Sequence, residues 1–156
     1  MAKKSKRWLF SIILALMIEI PIYSGLSQYN NFSTANNFIN QYRTENPENA
    51  DKPFVFLFYN NFPCETCPQA MAEIYQIIET KYPDKVNLFE IDYSEPGEYN
   101  FEIDYMLDQP LTMVMVPIQN GQPMGYEKIE NPQLFLNDNY YFTTEISNAL
   151  DNLLLI

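Results

Sequence analysis

The sequence contains no histidine and only two cysteines, Cys64 and Cys67. A structural zinc site needs four ligands, mostly cysteine and histidine, so this shortage nearly excludes zinc bound within one chain. Glycine is also scarce, at four residues, whereas hydrophobic residues make up 47% of the 156-residue chain. This composition is typical of one globular domain rather than of a linker or a disordered segment.

Basic residues are few outside the amino-terminal segment. Four of the nine precede Trp8, and the chain after Leu26 has 19 acidic and five basic residues, a net charge of −14. Contacts between basic side chains and phosphates supply most non-specific affinity for nucleic acids, so this charge disfavours a nucleic-acid partner. The acidic surface favours cationic protein surfaces or metal cations as partners, or it simply keeps the domain soluble.

Residues 1–26 combine a basic head with a long apolar run. The head is "KKSKR", and the run "WLFSIILALMIEIPIYSGL" would reach roughly 28 Å as a helix, close to the thickness of a bilayer core. We expect a single-pass transmembrane anchor, and a signal peptide cleaved near "YSGLS" is the alternative. The positive-inside rule places the N-terminus in the cytoplasm or an organellar matrix. Residues 27–156 then form a domain in the periplasm or intermembrane space.

Glu19 lies within this apolar segment, where an acidic side chain is costly to insert into a bilayer. Two explanations remain open. The side chain can reach the far interface, with Pro21 marking the end of the helix. It can also pair with a polar group on a neighbouring membrane subunit, in which case the chain belongs to a membrane complex.

The rest of the sequence alternates between helical and strand patterns. A parallel strand pair joined by a crossover helix and followed by an antiparallel hairpin indicates an α/β sandwich with a mixed sheet. The first predicted elements are a helix from Ser33, a strand at 54–59, a helix over about 64–82 and a strand at 86–93. A weak helical pattern follows at the end of 94–107. The last predicted elements are a strand at 111–116, a turn at 120–121 with a returning strand at 124–129, and a final helix capped by Thr143 or Thr144.

Cys64 and Cys67 fall where the first strand gives way to the second helix. The free N–H groups and the positive end of that helix would stabilise a thiolate at Cys64, and the spacing lets the pair close a disulfide with little movement. The pair could therefore cycle between dithiol and disulfide. A permanent disulfide, which would add little stability across so short a loop, and two thiols that act only as small apolar residues remain alternatives.

The order of elements, the Cys-x-x-Cys pair and the later segment "DQPLTMVMV" resemble the thioredoxin-like family, in particular its membrane-anchored extracytoplasmic members, over about residues 33–156. The resemblance implies a thioredoxin-like fold, with Cys64 as the attacking nucleophile and Cys67 as the resolving thiol. Pro110 matches the family's cis-proline, which packs against the disulfide and leaves the adjacent backbone free to align a substrate. No organic cofactor or metal is implied, and the expected partners are protein thiols or disulfides and a redox partner.

The sequence also departs from the family pattern. Pro63 replaces the usual tryptophan, Glu65-Thr66 replaces the Gly-Pro pair between the cysteines, and Phe58 stands where a buried aspartate is usual. Without that carboxylate Cys67 loses its proton less readily, and Glu65 opposes a thiolate at Cys64. The pair is then reducing and slow, or another carboxylate such as Glu90 serves, or turnover has been lost.

Two functions follow from these patterns. The first is a membrane-anchored thiol:disulfide oxidoreductase that uses the Cys64/Cys67 pair. The second is a thioredoxin-fold accessory subunit of a membrane protein complex with little or no redox turnover. The cysteine pair and Pro110 favour the first, whereas Phe58, Glu19 and the acidic surface favour the second. The oxidoreductase is the leading expectation.

Overall fold

The computed structural model describes residues 33–95, 97 and 99–156. The predicted anchor or signal peptide at 1–26, with Glu19, lies outside these residues, and its prediction stays a prediction. Within the described part of the chain, no helix is both long and apolar enough to cross a bilayer.

A mixed four-stranded sheet occupies the centre of the domain. Its strands are β1 (Phe54–Tyr59), β2 (Asn87–Asp92), β3 (Leu111–Val116) and β6 (Glu127–Glu130). The strand order is β2-β1-β3-β6, with β1 parallel to β2 and antiparallel to β3, and with β3 antiparallel to β6. Two short strands, β4 (Ile118–Gln119) and β5 (Gln122–Pro123), form a separate hairpin.

Four α-helices and two short 3₁₀ helices complete the described part of the chain. The α-helices are α1 (Ser33–Glu45), α2 (Cys67–Lys81), α3 (Phe101–Asp104) and α4 (Asn139–Leu155). The 3₁₀ helices are Pro47–Asn49 and Pro132–Phe135. The helix α2 connects β1 to its parallel neighbour β2, which is the crossover that a parallel pair requires. The structure confirms the predicted α/β sandwich with a mixed sheet.

The sheet buries side chains on both faces, because helices cover each side and successive strand residues point in opposite directions. On one face, Phe54, Phe56 and Phe58 join an aromatic layer with Phe38 of α1, Phe89 of β2, Phe101 of α3 and Tyr105, which directly follows α3. On the other face, Val55 and Leu57 pack with apolar side chains of α2 and α4. Cys67, the first residue of α2, packs in the core on this second face.

The helix α2 begins at Cys67, so the prediction of a start near Cys64 was wrong. In a helix that began at Cys64, the N–H of Pro68 would have to bond to the carbonyl of Cys64. Proline has no N–H, and its ring clashes with that carbonyl. With the start at Cys67, Pro68 lies in the first turn, where no intrahelical donor is needed.

The final helix begins four residues earlier than Thr143, so both predicted caps were wrong. Asp138 is the N-cap, and its side chain accepts a hydrogen bond from the N–H of Tyr141 at 3.0 Å. The earlier start adds Phe142, which is fully buried, to the apolar stripe of the helix.

The turn at Asn120 and Gly121 is confirmed, since both residues have positive φ, as a two-residue hairpin requires. The returning strand, however, begins at Glu127 rather than Met124. The turn closes the separate hairpin of β4 and β5, and the chain passes through Gly125, also at positive φ, before it pairs with β3.

Candidate functional site

The two cysteines lie where β1 ends and α2 begins, and they are joined by a disulfide with a Cα–Cα distance of 5.5 Å. Cys67 is the first residue of α2, while Cys64 lies in the loop before it. The spacing of three across a helix start therefore brings the sulfurs together, as the sequence predicted.

The two cysteines differ in exposure. Cys67 is 6% exposed and packs in the core with Leu57, whereas Cys64 is only partly buried. A partner molecule can therefore approach Cys64 more readily than Cys67, which packs in the core. This asymmetry suits the roles that the resemblance implies, with Cys64 on the outside and Cys67 behind it.

An open groove of about 460 Å³ lies beside the disulfide. Apolar and aromatic side chains dominate its lining, and Glu90 is the one carboxylate among them. The lining residues are Tyr59, Asn60, Phe62, Cys64, Cys67, Pro68, Met71, Ala72, Tyr75, Glu90 and Pro110. All three site residues expected from the sequence, Cys64, Cys67 and Pro110, thus meet in one place.

Pro110 lies beside the disulfide but does not have the cis peptide bond that the resemblance implied. No peptide bond in the described residues is cis, so the Gln109–Pro110 bond is trans, the isomer that is intrinsically favoured before proline. The carbonyl of Pro110 accepts a hydrogen bond from the N–H of Asn60 at 3.4 Å, which ties the segment before β3 to the end of β1.

A hydrogen-bond network that the sequence did not predict holds the loops around the groove. The hydroxyl of Tyr93 donates to the carbonyl of Gln109 at 2.6 Å and accepts from Nδ2 of Asn60. Oδ1 of Asn60 accepts from the N–H of Phe62 at 2.9 Å, and Nδ2 of Asn131 donates to Oε1 of Gln109 at 2.6 Å. Three loops from different parts of the chain are thereby fixed to the residue that precedes Pro110.

No protein-family model matches the chain, and no curated protein matches it by sequence. Among solved structures, the chain is similar to the thioredoxin of Malassezia sympodialis, with 19% identity, a TM-score of 0.45, and coverage of 70% of this chain and 84% of the other. It is also similar to the germline-specific thioredoxin Deadhead of Drosophila melanogaster, with 18% identity, a TM-score of 0.43, and coverage of 66% and 91%.

The strand order itself decides the fold. The domain contains a β1-α2-β2 crossover unit, an antiparallel β3-β6 pair and a closing helix, and a disulfide lies at the carboxyl end of β1. This is the arrangement that the sequence resemblance implied. The fold is thioredoxin-like.

Phe58 lies on the face of the sheet opposite the cysteines, where its ring is 5.3 Å from that of Phe101. On the cysteine face, the neighbouring position of β1 is Leu57, which is fully buried and also apolar. The β1 strand therefore brings no carboxylate to Cys67.

Glu90 comes from the neighbouring strand instead. It lies beside Leu57 in the parallel pair and lines the groove with both cysteines. Its carboxylate accepts a hydrogen bond from the hydroxyl of Tyr75 at 3.1 Å. Burial, together with this hydrogen bond and the negative charge of Glu90, raises the pKa of Tyr75 to about 12, so Tyr75 stays a donor across the neutral range.

Two groups of residues in and around the groove were not assigned to the site by the sequence analysis. Met71 and Tyr75 follow Cys67 at intervals of four, so helical periodicity alone could have placed them on the same face as Cys67. Asn60, Tyr93 and Gln109 meet only through the pairing of separate loops, and no local pattern marks them. In the part of the chain that the structure describes, no group of three or more cysteine, aspartate or glutamate side chains could hold a metal ion.

Proposed function

We propose that the chain is a thiol:disulfide oxidoreductase that exchanges electrons with protein partners through Cys64 and Cys67. The observation that carries the proposal is the disulfide at the edge of an open apolar groove, with Cys64 accessible and Cys67 buried. A purely structural disulfide across a loop this short would add little stability and would not need a groove beside it.

In the reducing direction, the thiolate of Cys64 attacks one sulfur of a substrate disulfide. A Cys64–substrate disulfide forms, and the second substrate sulfur leaves as a thiolate that takes up a proton. The thiolate of Cys67 then attacks the sulfur of Cys64 and releases the first substrate sulfur, also as a thiolate. The substrate gains two electrons, the pair is oxidised to the disulfide, and a dithiol partner must reduce it again. The reverse sequence oxidises a substrate dithiol.

Deprotonation of Cys67 is the demanding step, because its surroundings are apolar and burial disfavours a thiolate. Glu90 is the carboxylate of the groove, and we assign it as the acceptor of this proton, directly or through water. This assignment gives Glu90 the task that a buried aspartate has in the family that the sequence resembles.

The membrane-anchored location is part of the proposal and is supported by the sequence of residues 1–26. A basic head before an apolar run of bilayer length favours a single pass, with the redox domain on the extracytoplasmic side. Partners would then be proteins of the periplasm or of an intermembrane space. Protease protection of the domain in sealed membranes, and its loss on permeabilisation, would support this topology.

A pair of serine variants of the full-length chain tests the redox proposal. Cys67→Ser should form a stable mixed disulfide when mixed with a disulfide-containing peptide, because Cys64 remains accessible and no thiol resolves the product. Cys64→Ser should react at no more than about one tenth of the rate of Cys67→Ser, because Cys67 is buried. Mass spectrometry of the quenched mixtures measures both products.

Equal reaction of the two variants would contradict the assigned roles. A wild-type pair that stayed oxidised in a glutathione buffer poised below about −300 mV would contradict the oxidoreductase itself and leave a structural disulfide.

A further inference from the structure

The basic residues of the domain lie mostly at one end of β1, whereas acidic residues lie at both ends. The strand β1 runs toward the cysteines and α2 runs away from them, so the start of β1 and the end of α2 lie at the end of the domain remote from the disulfide. Four of the five basic residues after Leu26 lie at this remote end: Arg43, Lys52, Lys81 and Lys85.

The hydrogen bonds of Arg43 agree with its position at the remote end. Arg43 donates to the carbonyl of Ala50, just before β1, and to that of Gly121, beyond the end of β3. The fifth basic residue, Lys128, is ion-paired with Glu130 and donates to the carbonyl of Met106 at 3.1 Å.

Acidic residues surround the disulfide end. Glu65 lies between the two cysteines and is exposed, and Glu90 lines the groove. Asp92 and Glu95 follow at the end of β2, in the direction of the cysteines. Among the described residues that line the groove, none is cationic.

The negative field of these carboxylates reaches into the groove. Burial raises the pKa of the groove residue Tyr59, and the charges of Glu90, Asp92 and Glu95 raise it further. The same groove presents apolar surface: the side chain of Phe62, which stands before Cys64, is 62% exposed. A ligand of the groove therefore meets apolar contacts and negative charge together.

We infer that the groove beside Cys64 binds an extended polypeptide segment whose reacting cysteine is flanked by an apolar side chain and by lysine or arginine. This inference rests on the proposed function and names its substrate class. The apolar side chain covers Phe62 and Met71 in the groove, and the cation lies toward Glu65 and Glu90. An acidic segment would place like charges against these carboxylates, which slows encounter and weakens binding.

Two synthetic peptides that differ only at the two charged positions test the inference. Acetyl-Gly-Leu-Lys-Cys-Lys-Gly-amide and its glutamate counterpart each carry thionitrobenzoate on the cysteine through a disulfide. The reduced full-length protein, in a non-ionic detergent, attacks the peptide sulfur through Cys64 and releases coloured thionitrobenzoate. Each rate is divided by the rate of the same peptide with dithiothreitol, which corrects for the intrinsic reactivity of the peptide.

We expect the normalised rate of the lysine peptide to exceed that of the glutamate peptide by about tenfold or more at about 20 mM ionic strength. The ratio should fall to less than about threefold at about 500 mM, where exposed charges are screened. Replacement of the leucine by serine in the lysine peptide should lower its rate several-fold, because the apolar contact with the groove is lost.

Matched glutamine variants connect the preference to the groove. Glu65→Gln and Glu90→Gln should each lower the ratio of the two rates, whereas Glu48→Gln, the same change at the remote end, should leave it unchanged. The preference is a ratio, so it separates charge recognition from any effect of Glu90 on the proton of Cys67.

The outcomes distinguish this inference from the proposed function. Equal normalised rates for the two peptides would overturn the inference and leave the oxidoreductase intact. A preference that both glutamine variants kept in full would show that the charge is read elsewhere, which also overturns it. If neither peptide reacted although dithiothreitol reduced the Cys64–Cys67 disulfide, the proposed function would fail, and the inference with it.

Discussion

The hydroxyl of Tyr93 makes two of the hydrogen bonds that connect the loops around the disulfide, and its removal gives a direct test of the site architecture. Tyr93→Phe keeps the ring and deletes the hydroxyl. The carbonyl of Gln109 then loses the 2.6 Å hydrogen bond from Tyr93, and Nδ2 of Asn60 keeps only the longer hydrogen bond to that carbonyl, at 3.5 Å. Burial raises the pKa of Tyr93, so the wild-type hydroxyl stays protonated and donates throughout the neutral range.

The size of the effect follows from these two hydrogen bonds. Each contributes about 0.5–1.5 kcal/mol net, so Tyr93→Phe should lower the free energy of unfolding by about 1–3 kcal/mol. Urea denaturation at pH 7 with an unchanged m-value measures this loss. Tyr140→Phe is the matched control, because the Tyr140 side chain is 83% exposed and its hydroxyl should contribute less than about 0.5 kcal/mol.

The same change should separate reaction with a peptide from reaction with a small thiol. If the network positions the Gln109–Pro110 segment for an extended substrate, Tyr93→Phe should slow exchange with a peptide disulfide by about three- to tenfold, since the segment loses one of the hydrogen bonds that hold it. Reduction of the disulfide by dithiothreitol, which needs no alignment along Pro110, should change less than about twofold. Stability and peptide rates equal to those of Tyr140→Phe would refute this account of the network.

Two further predictions concern the stability of the domain. The buried carboxylate of Asp104 accepts from Oγ1 of Thr34 at 2.5 Å and from the N–H of Ala35 at 2.6 Å, so Asp104→Ala should destabilise the fold by about 2–3 kcal/mol in urea titrations. Glu102→Ala, at an exposed position of the same helix, should cost under about 0.5 kcal/mol, and equal losses would contradict the stabilising role of these two hydrogen bonds of Asp104. Burial and the hydrogen bond to Asp151 raise the pKa of Tyr82 to about 12, above the value of about 10 for an unfolded chain. The unfolded state therefore releases this proton first, and stability should fall as the pH rises from about 10 to about 12; a decline equally steep in Tyr82→Phe would assign it to other groups.

Local patterns in the sequence determined the central strands. The continuous apolar runs at 54–59 and 111–116 have the bounds predicted for β1 and β3, because a strand covered on both faces needs apolar residues at every position. The sequence predicted the turn at Asn120-Gly121 equally well, because few residue pairs accept positive φ at both central positions of a two-residue hairpin turn. The cysteine pair was placed at the strand–helix junction for the same kind of local reason.

The periodic pattern predicted the helix boundaries less accurately than the apolar runs predicted the strands. The pattern marks the buried face of a helix and not the residue at which the helix begins. A rule already present in the sequence could have corrected one of them: Pro68 cannot continue a helix that starts at Cys64. The N-cap of the last helix was ambiguous, since Asp138, Thr143 and Thr144 are all capping residues and only the burial of Phe142 selects the first.

The sequence by itself determined the order of elements, the mixed sheet and the position of the cysteine pair, because each depends on residues that are close together in the chain. Only the tertiary structure decided what surrounds that pair. Glu90 reaches the groove through the parallel pairing of β2 with β1, and Tyr93 meets Asn60 across 33 residues of chain. The separation of cations from the disulfide end also exists only in the folded chain. Strand pairing and loop closure bring together residues that share no local pattern in the sequence. The interactions between these residues therefore exist only in the folded chain.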